Sequence, residues 1–158
     1  MIALGHILVP TDFSEPADAA LQYAQVLARK FGSRLHLLHV VPEPFAYPWG
    51  TDVATFPMAD LLTQSEAAAR QRLEQIASGL EDLPAGVGVH TAVGSPVDRI
   101  LDYVRDHRVD LVVVGTHGRG LVGHLLLGSV AERVIRRAGV PVLTVHGQPD
   151  PAERPARS

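Results

Sequence analysis

Residues 111–129 read LVVVGTHGRGLVGHLLLGS, and this stretch decides the architecture. Leu111-Val112-Val113-Val114 is a short unbroken apolar run, the mark of a parallel strand buried on both faces. Val130-Ala131-Glu132-Arg133-Val134-Ile135 follows and reads as a helix. Glycines stand where the strand ends, at Gly115 and Gly118, and where the helix begins, at Gly128. Glycine lets backbone N–H groups turn toward an anion with no Cβ in the way, and a helix start adds unpaired N–H donors. The combination predicts a phosphate-bearing ligand at this turn.

Working outward, strands and helices alternate along the chain. Ile7-Leu8-Val9 is a first strand. Ala20, Leu21, Ala24, Leu27, Ala28 and Phe31 form one face of a helix over 17–31, closed by Gly32. Arg34 to Val41 is a second strand. Leu61, Leu62, Ser65, Ala69, Leu73, Ile76 and Leu80 mark a second helix, and Val87, Val89, Thr91 and Val93 alternate as a strand with one exposed face. Ser95 caps a third helix opened by Pro96, with Val97, Ile100, Leu101 and Val104 as its apolar stripe. After Leu111–Val114 come a helix over 130–138 and a last strand, Val142–Val145.

This alternation implies an α/β fold, a single doubly wound five-stranded parallel sheet with helices on both faces. The alternating third strand and the last strand, next to Pro141, suit the edges. The continuously apolar first and fourth suit the centre, so the expected order is 3-2-1-4-5. Ligands of such sheets bind beyond the carboxyl ends of the strands where the winding reverses. Here that point lies between Thr11-Asp12 and Gly115.

Three parsings of the glycines compete. Gly118-Arg119-Gly120-Leu121-Val122-Gly123 matches G-x-G-x-x-G, which would suggest an NAD-linked Rossmann enzyme. It comes late in the chain, and the next strand ends at Val145-His146 without the carboxylate that grips a ribose. Gly115 and Gly120 have Walker spacing, but Leu121-Val122 replace the Lys and Ser/Thr. The third parsing, Gly115-x2-Gly118-x9-Gly128-Ser129, joins the strand-end glycines to the helix start.

That third pattern resembles the nucleotide-binding motif of the universal stress proteins. The segments His6-Ile-Leu-Val-Pro-Thr-Asp-Phe-Ser14, Leu37-Leu-His-Val40, Val114-Gly-Thr-His-Gly118, Leu127-Gly-Ser-Val130 and Val140-Pro-Val-Leu-Thr-Val145 resemble that family's first strand and turn, second strand, phosphate loop and last strand. The resemblance runs from about His6 to His146. It implies an ATP-binding regulatory module in stress response, with Mg²⁺ carried on the phosphates. The implied ligand contacts are Pro10, Thr11, Asp12, Val40, Val114, Gly115, Gly118, Arg119, Gly128, Ser129 and Val130. A relative that dimerises without retaining nucleotide is the alternative, against which the intact glycine motif counts.

Several residues admit plainer roles. Asp12 or Ser14 could simply cap the first long helix, Ser129-x-x-Glu132 has the form of a capping box, Val40 reads mainly as core, and Arg119 reads equally as a solvated loop cation.

Composition sets the remaining bounds. A chain of 158 residues, 46% hydrophobic and 20% charged, suits one domain, expected over 1–146, with a proline-rich, charged tail over 147–158 expected to be disordered. Net charge −3 gives no reason to expect nucleic acid or an acidic membrane as partner. The absence of cysteine excludes disulfide and thiol chemistry. No apolar run approaches the roughly 20 residues of a membrane span, and the N-terminus lacks signal-peptide character, so the expected location is the cytoplasm.

The eight histidines do not suggest a metal set. His36 and His39 are an odd number apart on a strand and face opposite sides, and His117 and His124 have no completing ligands. No nucleophile–base–acid set is recognisable, so at most slow hydrolysis of a bound ATP is expected. The segment 42–59 holds Phe45, Tyr47, Trp49 and Phe56, either folded over a helix face or serving as a lid or partner segment. The last strand is apolar and uncharged at an expected edge. Antiparallel pairing with its copy in a homodimer would cover it, as the resemblance also implies.

Overall fold

The computed structural model describes residues 3–43, 58–116 and 127–147. Gly118, Arg119, His117, His124, the G-x-G-x-x-G run, the four aromatics of the 42–59 segment and the tail from 148 onward lie outside the described residues.

Five strands, β1 (His6–Pro10), β2 (Arg34–Val41), β3 (Val87–Val93), β4 (Leu111–Gly115) and β5 (Val142–Val145), alternate with four helices, α1 (Glu15–Phe31), α2 (Met58–Ser78), α3 (Pro96–Asp106) and α4 (Ser129–Arg137). The sheet is parallel throughout and ordered β3-β2-β1-β4-β5, the order expected from strand character.

Two apolar layers hold the helices to the sheet. Odd-numbered strand residues such as Ile7, Val9, Leu35, Leu37 and Val113 meet Ala20, Ala24 and Ala28 of α1 and Leu73 of α2. Even-numbered residues such as Leu8, Leu38, Val40 and Val112 meet Ile100 and Val104 of α3 and Val134 of α4. The period-two alternation of the strands sorts side chains between the layers. Both layers are fully shielded at β1 and β4, which is why those strands are continuously apolar.

The local signals are realised with three differences. Gly32 closes α1 in the left-handed conformation (φ 66°), and Ser95 caps α3 by accepting the Asp98 N–H at 3.5 Å. The first difference is at β3, which has no exposed face. Every residue is half-buried, because α2 covers one side, with Thr91 donating to Glu66 at 2.8 Å, and His90 packs against Tyr103 on the other. The second is that Phe31 and Leu61, placed on apolar helix faces by periodicity, are exposed; Phe31 is the last residue of α1 and Leu61 lies in the first turn of α2. The third is the capping box. Gly128, not Ser129, is the N-cap of α4: its carbonyl accepts the Glu132 N–H at 2.9 Å and its own N–H donates to the Thr116 carbonyl. Closing the turn one residue early makes Ser129 the first helical residue, and Glu132 instead pairs with Arg136 at 3.0 Å.

Candidate functional site

The β1 and β4 strands separate at their carboxyl ends. They pair only at Ile7–Leu111 and Leu8–Val112, whereas β1 stays paired with β2 as far as Pro10–Leu38. Proline contributes to this opening. The Gly5 carbonyl and Thr11 N–H bond toward β2 and the His6 carbonyl bonds toward β4, so alternation turns Pro10 toward β4, where it has no N–H to give.

A cavity of about 500 Å³ occupies the opening. Nine of the expected contact residues line it together: Pro10, Thr11, Asp12, Val40, Val114, Gly115, Gly128, Ser129 and Val130. Its walls have two characters. Leu38, Val40, Pro42, Ile100, Val114 and Val130 make an apolar side. The starts of α1 (Ser14, Ala17), α3 (Pro96) and α4 (Gly128, Ser129) make a polar one. Three helix N-termini thus converge on one space, each carrying a partial positive charge. At α4 the N–H groups of Ser129, Val130 and Ala131 have no intrahelical acceptor.

Asp12 is the only carboxylate lining the cavity among the described residues. It accepts from the Ser14 N–H at 3.0 Å and from the Ser14 hydroxyl. Ser14 stands at the N-cap of α1 with extended backbone, yet its side chain makes no capping bond, since the hydroxyl is turned to Asp12. Ser14 therefore holds the N-cap position of α1, as its place ahead of Pro16 suggests, but without the side-chain capping bond: its hydroxyl and the Asp12 carboxylate are spent on each other at the cavity.

Gly115 serves a purpose that the phosphate reading did not include. A Cβ there would lie 2.6 Å from the carbonyl carbon of Pro16, 2.7 Å from its oxygen and 2.9 Å from the Ala17 nitrogen. The backbone of the first α1 turn rests directly on β4, so the glycine sets the distance between two cavity walls.

His39 is a cavity residue that sequence reasoning passed over. Its Nδ1 donates to the Thr11 carbonyl at 2.8 Å and its ring stacks on Phe13, centroids 4.6 Å apart. The signal was present: the odd spacing from His36 puts His39 on the other face, next to the end of β1. His36 itself lies elsewhere, buried under α3, with Nδ1 at 2.9 Å from the Tyr103 hydroxyl and Nε2 at 3.0 Å from His6 Nδ1. Burial, reinforced by His6 and His90, pushes its pKa down to about 4. Burial likewise raises the Tyr103 phenol to about 12. Among the described residues no group of three His, Asp or Glu is arranged to hold a metal.

An open parallel sheet with a cleft where its winding reverses defines the doubly wound α/β proteins. Within that class the chain belongs to the universal stress protein family, whose model matches residues 4–146. It is 33% identical over 151 residues to universal stress protein MJ0577 of Methanocaldococcus jannaschii, covering 88% of this chain and 93% of that protein. The solved MJ0577 structure superposes with a TM-score of 0.81 at 30% identity, over 94% of this chain and all of the other. Universal stress protein G of Escherichia coli O157:H7 is 32% identical over 144 residues, 88% of this chain and 96% of its own length. Two more distant structures, each 22% identical, share the fold: a family member from Arabidopsis thaliana with AMP bound (TM-score 0.63, 96% of each chain) and a universal stress protein in complex with cAMP (TM-score 0.62, 92% of this chain and 99% of that one).

Proposed function

We propose that this universal stress protein binds ATP in the β1–β4 cleft and acts as a regulatory module of the stress response in the cytoplasm. The observation that carries the reading is the convergence of an apolar wall and three helix N-termini on one cavity at the reversal of the sheet. The volume suits a small organic ligand. A base would lie against Val40, Pro42 and Ile100. The polyphosphate would meet the N–H groups at the start of α4 that have no intrahelical acceptor. Gly118 and Arg119, outside the described residues, are proposed as further phosphate contacts. Family members holding AMP and cAMP support an adenine nucleotide as the class of ligand.

Asp12 would contact the ribose hydroxyls or a phosphate-bound Mg²⁺. One carboxylate is too few to cage Mg²⁺ without the phosphates, so the cation fits this site as part of a nucleotide complex and not alone. When bound, Mg²⁺ would neutralise charge on the phosphate oxygens. Binding rather than turnover is the function proposed, since the sequence offers no recognisable nucleophile–base–acid set; the Ser14 hydroxyl and Asp12 are bonded to each other at the cavity.

The working unit is a homodimer joined through β5. That strand is an edge, and Leu143 is exposed on it.

Mass spectrometry of nucleotide released from the purified, denatured protein tests the reading. ATP or ADP is expected. NAD would support the dinucleotide enzyme, and no nucleotide after purification with excess ATP would support a dimer that does not retain ligand. Recognition by strand-end backbone near Val40 also favours ATP over GTP, whose pyrimidine edge reverses the donor–acceptor pattern. Equal binding in competition would remove the base contact but leave the phosphate site.

A further inference from the structure

We propose that Phe13 is a positioning residue for the cleft: its ring, held by His39 and Arg72, fixes the backbone turn that presents Asp12 to the ligand. Phe13 is in the left-handed conformation, φ 63°, which a bulky side chain adopts only when its surroundings impose it. The turn divides three consecutive residues between two environments. Asp12 and Ser14 line the cavity, while the Phe13 ring packs against the apolar layer under α1 and α2.

The imposing groups can be named. The Phe13 N–H donates to the Thr11 hydroxyl at 3.0 Å. The His39 ring stacks on the Phe13 ring while its Nδ1 holds the Thr11 carbonyl, so one imidazole fixes both ends of the Thr11–Phe13 step. The Arg72 guanidinium of α2 sits over the Phe13 ring, 4.4 Å from its centroid. Arg72 makes none of the salt bridges among the described residues and lines no part of the cavity, so the ring is its contact. Through this stack α2, none of whose residues lines the cleft among those described, sets the orientation of Asp12, the one carboxylate that does among the described residues.

The inference rests on the cleft binding adenine nucleotide, and the experiment separates the two. ATP with Mg²⁺ is titrated calorimetrically into nucleotide-free wild type, Phe13→Gly, Phe13→Tyr, Arg72→Ala, Arg72→Lys and the Phe13→Gly/Arg72→Ala double variant, with circular dichroism confirming the fold. Glycine accepts the left-handed backbone without the ring, so the turn is freed rather than forbidden. Phe13→Gly is expected to weaken ATP about tenfold through lost preorganisation, and Phe13→Tyr to stay within about twofold of wild type. Arg72→Ala should cost about two- to fivefold, with Arg72→Lys recovering most of it. Because Arg72 acts only through the ring, the double variant should bind no more weakly than Phe13→Gly alone. Arg72 is exposed, so its variants fold even if Phe13→Gly does not. Wild-type ATP binding with Arg72→Ala unchanged, or losses that add in the double variant, would overturn the proposal alone. Failure of wild type to bind ATP would overturn the nucleotide reading and this one with it.

Discussion

Gly115→Ala should destabilise the protein by about 3 kcal/mol, although alanine is otherwise the mildest of changes. The added Cβ would fall 2.6–2.9 Å from three backbone atoms of Pro16 and Ala17. None can rotate aside, and ordinary contacts need roughly 3.5 Å or more. The first turn of α1 must therefore back away by most of an ångström. That lifts Ala20, which has no exposed surface, from its layer and moves Ala17 at the cavity wall. Overpacking of this kind costs about 1–3 kcal/mol, and contact with backbone on an already close-packed helix places it at the upper end. In a domain of this size the melting temperature should fall by about 6–12 °C. Urea unfolding of nucleotide-free protein, followed by far-UV circular dichroism, measures the change without the ligand. Gly147→Ala is the control, because its Cβ would meet only the Pro16 side chain at 3.7 Å. A Gly115→Ala unfolding free energy within about 0.5 kcal/mol of wild type, at unchanged slope, would show that α1 does not rest on this glycine.

Gly128→Val and Gly118→Val should each abolish ATP binding in calorimetric titration while leaving the fold largely intact. Gly128 has ordinary backbone angles (φ −58°, ψ 148°) that valine can adopt, and the branched side chain would stand at the start of α4. His36 should make the protein acid-sensitive. Its folded pKa of about 4 lies below the unfolded value near 6.5, so its contribution is complete above pH 6.5 and is lost as the pH falls toward 4. The loss approaches about 1.4 kcal/mol per pH unit. Urea midpoints of wild type and His36→Gln between pH 7.5 and 5 check it, and equal slopes would remove His36 as the cause. Replacing Val142 and Leu143 by charged residues should dissociate the homodimer by burying unpaired charge. Light scattering decides: a monomeric wild type at micromolar concentration refutes the dimer, and an unaltered dimer in the variant moves the interface elsewhere.

The framework was legible wherever a signal is local. Unbroken apolar runs at Leu111–Val114 and Ile7–Val9 identified central strands because burial on both faces removes the need for polar residues. Gly32, Ser95 and Pro96 marked helix ends because their backbone and capping preferences act within a turn. The strand order then followed from which strands could tolerate an edge. What stayed hidden depends on contacts between distant segments. Gly115 looked like a phosphate glycine because nothing in the sequence reports that the α1 backbone lies against it. Phe13 carries no mark of a left-handed residue, as glycine or asparagine would, since its conformation is imposed by His39 and Arg72. The Ser129-x-x-Glu132 pattern misled because the Gly128–Thr116 hydrogen bond, a loop-closing contact, moved the cap by one residue. Likewise His6, His36, His90 and His107 come together around Tyr103 only once β1, β2, β3 and α3 are assembled.

On the proposed function, adenine nucleotide occupies the cleft between the parted ends of β1 and β4. Amide chemical-shift mapping of isotopically labelled protein during titration with Mg²⁺-ATP tests it most directly. Saturable shifts are expected at Thr11, Asp12, Val40, Gly115, Ser129 and Val130, with the opposite end of the sheet around His6, Arg34 and His107 undisturbed. Shifts centred on that opposite end, or none at millimolar ATP, would contradict it.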